Sequence, residues 1–92
     1  MTRFACPCCG YLTLEQPPPG TFDICAVCFW EDDNVQFDDP DFRGGANDVS
    51  LKEARSTFAR IGASDERFLA RVRRPLPNEL PTTHTDFKPT AQ

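Results

Sequence analysis

The sequence predicts a small α+β fold: a β-hairpin hung between two cysteine knuckles, then two short helices and an extended Pro-rich tail. Three observations carry this. Cys6-Pro7-Cys8-Cys9-Gly10 is answered by Cys25-Ala26-Val27-Cys28, with strand-forming residues between them. Ser50-Leu51-Lys52-Glu53 opens a stretch with helical periodicity. From Pro75 onward, four prolines and few apolar residues replace that periodicity.

With Cys8 set aside, the cysteines read C-x-x-C, fifteen residues, C-x-x-C, a spacing that suits a four-cysteine metal site. Two cysteines three apart can aim both sulfurs at one ion only if the chain between them forms a tight turn. Gly10 follows Cys9 where such a turn asks for positive φ or close backbone approach. Two such knuckles complete a tetrahedron of Cys6, Cys9, Cys25 and Cys28 around one ion, with Zn–S bonds near ~2.3 Å. Zinc is the expected ion, and iron is the alternative for the same sulfurs. Cys8 is then a spare thiol beside the site or a sulfur that supports a ligand.

Two other chemistries use such cysteines. A secreted disulfide framework is disfavoured by the odd count of five and by Met1-Thr2-Arg3-Phe4-Ala5, which has no apolar run of a secretory signal. Thiol redox motifs stand alone after a strand in a βαβ unit, and two motifs this close leave no room for one. Thiolates holding a metal suit a reducing compartment, and no apolar segment reaches transmembrane length, so the expected location is the cytoplasm.

Ninety-two residues make one small domain, expected over residues 1–74, with residues 75–92 as an extended or disordered tail. A domain of this size buries only about 60–65% of its unfolded surface. Structural zinc binding is worth an apparent ~10–16 kcal/mol, as much as the ~5–15 kcal/mol stability of a whole domain. The metal is therefore expected to be a condition of folding. Net charge is −4 but unevenly spread: residues 1–50 sum to −7, residues 51–74 to +4 and the tail to −1. Four thiolates around a divalent ion add two further negative charges to the first half. Such a surface repels nucleic acid and attracts basic protein surfaces.

Along the chain, Tyr11-Leu12-Thr13-Leu14 alternates as a strand does. Pro17-Pro18-Pro19-Gly20 forms a turn, because the prolines supply no ladder donors. Thr21-Phe22-Asp23-Ile24 reads as the returning strand, with Phe22 and Ile24 on one face. A hairpin between two metal knuckles is the zinc-ribbon arrangement, also found in rubredoxins. The stretch from Cys6 to Tyr11 resembles a rubredoxin first knuckle over six residues.

Trp30, Glu31, Asp32, Asp33, Asp38, Asp39 and Asp41 follow the second knuckle. They do not match a calcium-loop pattern. They read either as a solvated acidic loop or as a partner-facing surface with Trp30, or a neighbouring aromatic among Phe29, Phe37 and Phe42, as anchor. In the solvated reading Trp30 packs inside and the acids pair with Arg67, Arg71 and Arg74. Gly44-Gly45-Ala46-Asn47-Asp48 lead to the first helix, with Ser50 as N-cap, Glu53 closing a capping box and Gly62 stopping it. Leu51, Ala54, Phe58 and Ile61 form its apolar stripe, leaving Lys52, Arg55 and Arg60 for solvent. A second helix is expected from Ser64 to Pro75, burying Phe68, Leu69 and Val72. Arg67, Arg71, Arg73 and Arg74 balance its dipole and neighbouring acids, or form a phosphate-binding strip. His84, alone in the tail, reads as a bystander.

The Cys6-Pro7-Cys8-Cys9-Gly10 start, Cys25 to Asp32, and Gly44-Gly45-Ala46-Asn47 leading into Ser50-Leu51-x-x-Ala54 together resemble the cysteine-rich CPCC family, from about Phe4 to Pro75. The resemblance implies a small bacterial protein. Similar proteins encoded beside polymorphic toxins imply an immunity role. Catalysis is not expected: the sequence has one His, no phosphate loop and no H-E-x-x-H, and a four-thiolate site leaves no open coordination position. The expected function is a non-catalytic zinc protein that binds another protein with a basic surface, as an immunity protein binds the toxin it neutralises. A nucleic-acid-associated zinc ribbon and a rubredoxin-like iron electron carrier are the alternatives.

Overall fold

The computed structural model describes residues 3–81. Strand β1 (Phe4–Ala5) pairs antiparallel with β2 (Leu12–Leu14), with Phe4 opposite Leu14 and Ala5 opposite Leu12. Thr13 falls between those pairs as a bulge. Helix α1 (Asn34–Asp38) and helix α2 (Leu51–Ile61) follow, then 3₁₀ turns at Glu66–Arg71 and Pro77–Glu79. No helix among the described residues is long and apolar enough to cross a membrane.

The hairpin differs from the one expected. β2 turns back onto β1, around the first knuckle, and not onto Thr21–Ile24. Phe22 lies at φ 59°, outside the extended region, so residues 21–24 do not run as a regular strand. They pair instead with the residues just after the second knuckle. The Phe22 N–H reaches the Asp32 carbonyl (2.9 Å), Asp32 N–H reaches Asp23 (3.0 Å), and Ile24 bridges Glu31. Each knuckle is thus the tip of its own short hairpin. Phe22 and Ile24, expected on one face of a strand, are about half exposed.

α2 forms as its sequence directs. Ser50 Oγ accepts from Glu53 N–H (3.0 Å), Glu53 Oε1 accepts from Ser50 N–H (2.8 Å), and Gly62 closes the helix. Leu51 and Ala54 are fully buried, with Phe58 packed beside them. Arg55, expected in solvent, reaches across to donate to the Pro7 carbonyl at 2.9 Å, which pins α2 to the first knuckle.

The second helix is shorter and tighter than expected. It is a 3₁₀ turn capped by Asp65 and not Ser64, and Leu69 is half exposed. The turn ends at Arg71, and Val72 lies beyond it in extended backbone, so Phe68 and Val72 do not share a helical face. Its approach is fixed by the second knuckle, since Ser64 N–H donates to the Cys28 carbonyl (2.8 Å) and Arg73 N–H to Ala26 (3.3 Å). In the segment expected as an extended tail, Pro77–Glu79 turns under β2 and Glu79 is buried. Its carboxylate receives both Arg73 nitrogens (2.9 and 2.8 Å) and Leu76 N–H (2.8 Å). Residues 82–92, with His84, lie outside the described residues.

The core is built on sulfur. Cys6, Cys8, Cys25 and Cys28 are buried with Leu14, Val27, Trp30, Leu51 and Ala54 in one cluster. Among so few large apolar side chains, Trp30 is the largest that is fully buried.

Candidate metal centre

The two knuckles have the same hydrogen bonds. In the first, Cys6 N–H donates to Tyr11 (2.9 Å) and Gly10 N–H donates back to Cys6 (2.8 Å). In the second, Cys25 N–H donates to Trp30 (3.0 Å) and Phe29 N–H donates back to Cys25 (2.8 Å). Inside each turn a backbone N–H also points at the first sulfur: Cys8 N–H at Cys6 Sγ and Val27 N–H at Cys25 Sγ, both at 3.4 Å. Such donors stabilise a thiolate.

The turns bring the sulfurs of Cys6, Cys9, Cys25 and Cys28 within 4.8 Å of one another. Cys6 and Cys28 lie 3.6 Å apart, as do Cys9 and Cys25, and no disulfide joins any of them. A tetrahedron with ~2.3 Å metal–sulfur bonds has edges of about 3.8 Å, so the set fits a tetrahedral thiolate ion. Zinc and iron both accept this donor set.

Without an ion the sulfurs cannot all ionise. Cys25 is held far below the usual thiol range, first by hydrogen bonding from Cys28 and then from Cys6 and Cys9. Cys9 and Cys28 are pushed far above it, chiefly by hydrogen bonding with Cys25. A divalent cation is what lets all four carry negative charge.

One contributor was not marked by the cysteine spacing. Thr13 Oγ1 donates to Cys25 Sγ at 3.0 Å from within the buried core. The bulge between the Phe4 and Ala5 pairings re-aims this side chain, as bulges do. The alternation of residues 11–14 signals a strand, but nothing in it signals a bulge. Cys8 stands outside the four: it is buried, and its backbone, not its sulfur, supports Cys6.

The other candidate residues separate into buried and exposed sets. Trp30 is 1% exposed, so it cannot anchor a partner at the surface. Asp32 is equally buried and accepts from Thr21 N–H (2.9 Å). Asp33 caps α1, accepting from Val35 (2.7 Å) and Gln36 (3.1 Å) on one oxygen and Ala46 N–H (2.8 Å) on the other. Burial opposes its charge, but these three backbone donors outweigh burial and hold its carboxyl below the usual range.

The fully buried Gln36 completes this network. Its amide donates to the carbonyls of Phe42, Asn47 and Val49, while Asn47 clasps the Glu31 backbone through both N–H and C=O. Gly45 leaves room for this network, because a Cβ there would sit 2.7 Å from Asp33 Oδ2 and force that side chain to shift. Gly44-Gly45-Ala46-Asn47 thus closes the acidic loop onto α1. Asp38, Asp39 and Asp41 remain exposed, together with Phe37 (39%) and Phe42 (41%).

The arginines do not neutralise that loop. Arg67 pairs with Asp48 (3.0 Å) and Asp65 (3.1 Å), and Arg73 pairs with Glu79. Only the exposed Lys52–Asp41 contact, at 3.7 Å, reaches the acidic run among the described residues.

No curated protein matches the chain. The model of the family described as cysteine-rich CPCC matches residues 4–79, which include both knuckles, the Gly44–Asn47 clasp, α2 and the buried Glu79. The chain belongs to the cysteine-rich CPCC family.

Proposed function

We propose that this protein is a non-catalytic, zinc-stabilised module that binds another protein through its acidic face, in the manner of an immunity protein that neutralises a basic toxin. The observation behind this reading is the surface left by the Asp33–Gln36–Asn47 network. Val35, Phe37 and Phe42 stay exposed on a hydrogen-bonded scaffold beside Asp38, Asp39 and Asp41. Exposed aromatics give an interface its energy once buried, and surrounding acids steer a basic partner toward them. Phe37 and Phe42 take the anchoring role that Trp30 cannot fill. Cys6, Cys9, Cys25 and Cys28 hold the ion, which ties the two hairpins together. A four-thiolate centre has no open position for water, which supports a structural role over catalysis. Iron on the same sulfurs would make the purified protein coloured, whereas zinc would leave it colourless.

The test uses two matched baits on cell extract of the source organism: the wild type, and a variant with Asp38→Lys, Asp39→Lys and Asp41→Lys. These side chains are exposed, so the variant should melt within about 0.5 kcal/mol of wild type. A basic protein retained by the wild type and lost by the variant is expected. Equal retention by both baits, or retention by neither, would contradict the interface.

A further inference from the structure

A second surface has the opposite charge character. A groove of about 550 Å³ opens between the C-terminal half of α2 and residues 69–75. Phe58, Ile61, Leu69 and Val72 supply apolar walls, over a floor that includes Tyr11 and Val27. Leu69 is half exposed here, although its sequence pattern asks for burial. Arg73 and Arg74 form the rim. Arg73 is neutralised by Glu79, but Arg74 has no ion-pair partner among the described residues. The groove is therefore apolar within, with the Arg74 charge at its rim.

We infer that this groove docks an acidic amphipathic segment of a partner protein, with its apolar side chains against Phe58, Ile61, Leu69 and Val72 and its carboxylates facing Arg74. The volume is sufficient for several side chains, and an amphipathic helix laid in an apolar groove is an established mode of segment recognition. Charge selects the occupant: a basic segment would be repelled by Arg74, whereas the carboxylates of an acidic one would pair with it. This surface is distinct from the acidic face, and the charge it selects is opposite. One chain thus carries two docking faces for unlike partners.

The test is fluorescence anisotropy with a labelled twelve-residue peptide bearing Leu and Phe at helical spacing among Glu and Asp, and a twin with Lys replacing each acid. The acidic peptide should bind the metal-loaded protein, and the Lys twin should not. Arg74→Glu should weaken binding about tenfold or more, since a reversed charge at a docking site costs over ~1.4 kcal/mol. Leu69→Asp should abolish binding; both positions are exposed, so both variants should melt like wild type. The triple Lys variant of the acidic face should bind the peptide as wild type does. Several results would overturn the inference: no binding of the acidic peptide, equal binding of the twin, or indifference to Arg74→Glu. Loss of binding in the acidic-face variant would also do so. Self-association of the free protein that Arg74→Glu prevents would assign the groove to a second copy of the chain, overturning it as well.

Discussion

Gly10 and Phe29 hold the same position in the two knuckles. Each has a left-handed backbone, φ 83° and 70°, and each donates its N–H to the carbonyl of its knuckle's first cysteine. Glycine adopts this conformation freely, whereas a side chain there costs about 1–2 kcal/mol. Phe29 offsets that cost by stacking on Phe68, with ring centroids 4.6 Å apart.

This equivalence makes opposite predictions for alanine. Gly10→Ala should destabilise by about 1–2 kcal/mol from backbone strain alone, because its Cβ would meet nothing within 4 Å. At position 29 the usual order reverses: Phe29→Gly should be more stable than Phe29→Ala, by about 1 kcal/mol. Both variants lose the Phe68 contact, but only alanine retains the strain. Denaturant melts of the metal-loaded proteins check this, and a more stable Phe29→Ala would refute the shared geometry.

Thr13 should tune the metal and not merely the core. Thr13→Val removes the hydroxyl that donates to Cys25 while keeping the shape. Loss of a group supporting a ligand lowers metal affinity about 10–100-fold, and Thr13→Ser should recover most of it. Competition against a chromophoric chelator gives the comparison. Equal affinity for Thr13→Val and wild type would show that the bond has no effect on the ion.

The clasp around Asp33 predicts a steric and a pH effect. Gly45→Ala should cost about 1–3 kcal/mol, as overpacking does, since its Cβ would meet Asp33 Oδ2 at 2.7 Å. The folded-state pKa of Asp33 lies below its ordinary value, so the charged carboxylate stabilises the fold above the unfolded pKa near ~4. That contribution is lost as pH falls through the lower folded value. The stability difference between wild type and Asp33→Asn should therefore be constant above about pH 5 and shrink as pH falls below about 4. Urea melts at saturating metal check the trend; a difference that grows on acidification would contradict it.

Local signals were legible where they were self-contained. The Ser50–Glu53 box and Gly62 define α2 without reference to the rest of the chain, and the C-x-x-C pairs bring their own sulfurs together. What was not legible depends on distant partners. β2 alternates equally well for either neighbour, and only Phe22's left-handed backbone removes residues 21–24 from regular pairing with it. The short α1 lacks periodicity, because its stability comes from Asp33 and the loop that Gln36 and Asn47 draw over it. The acidic run likewise concealed two structural residues, Asp32 and Asp33, among solvated ones. Charge pattern alone does not tell a cap from a surface acid.

The metal reading is tested most directly by native mass spectrometry of the wild type beside Cys8→Ser and Cys25→Ser. The four-sulfur site should give one divalent ion per chain in the wild type and in Cys8→Ser, and none in a largely unfolded Cys25→Ser. A wild-type chain that carries no ion, or two protons fewer from a disulfide, would contradict the site. So would an ion kept by Cys25→Ser and lost by Cys8→Ser.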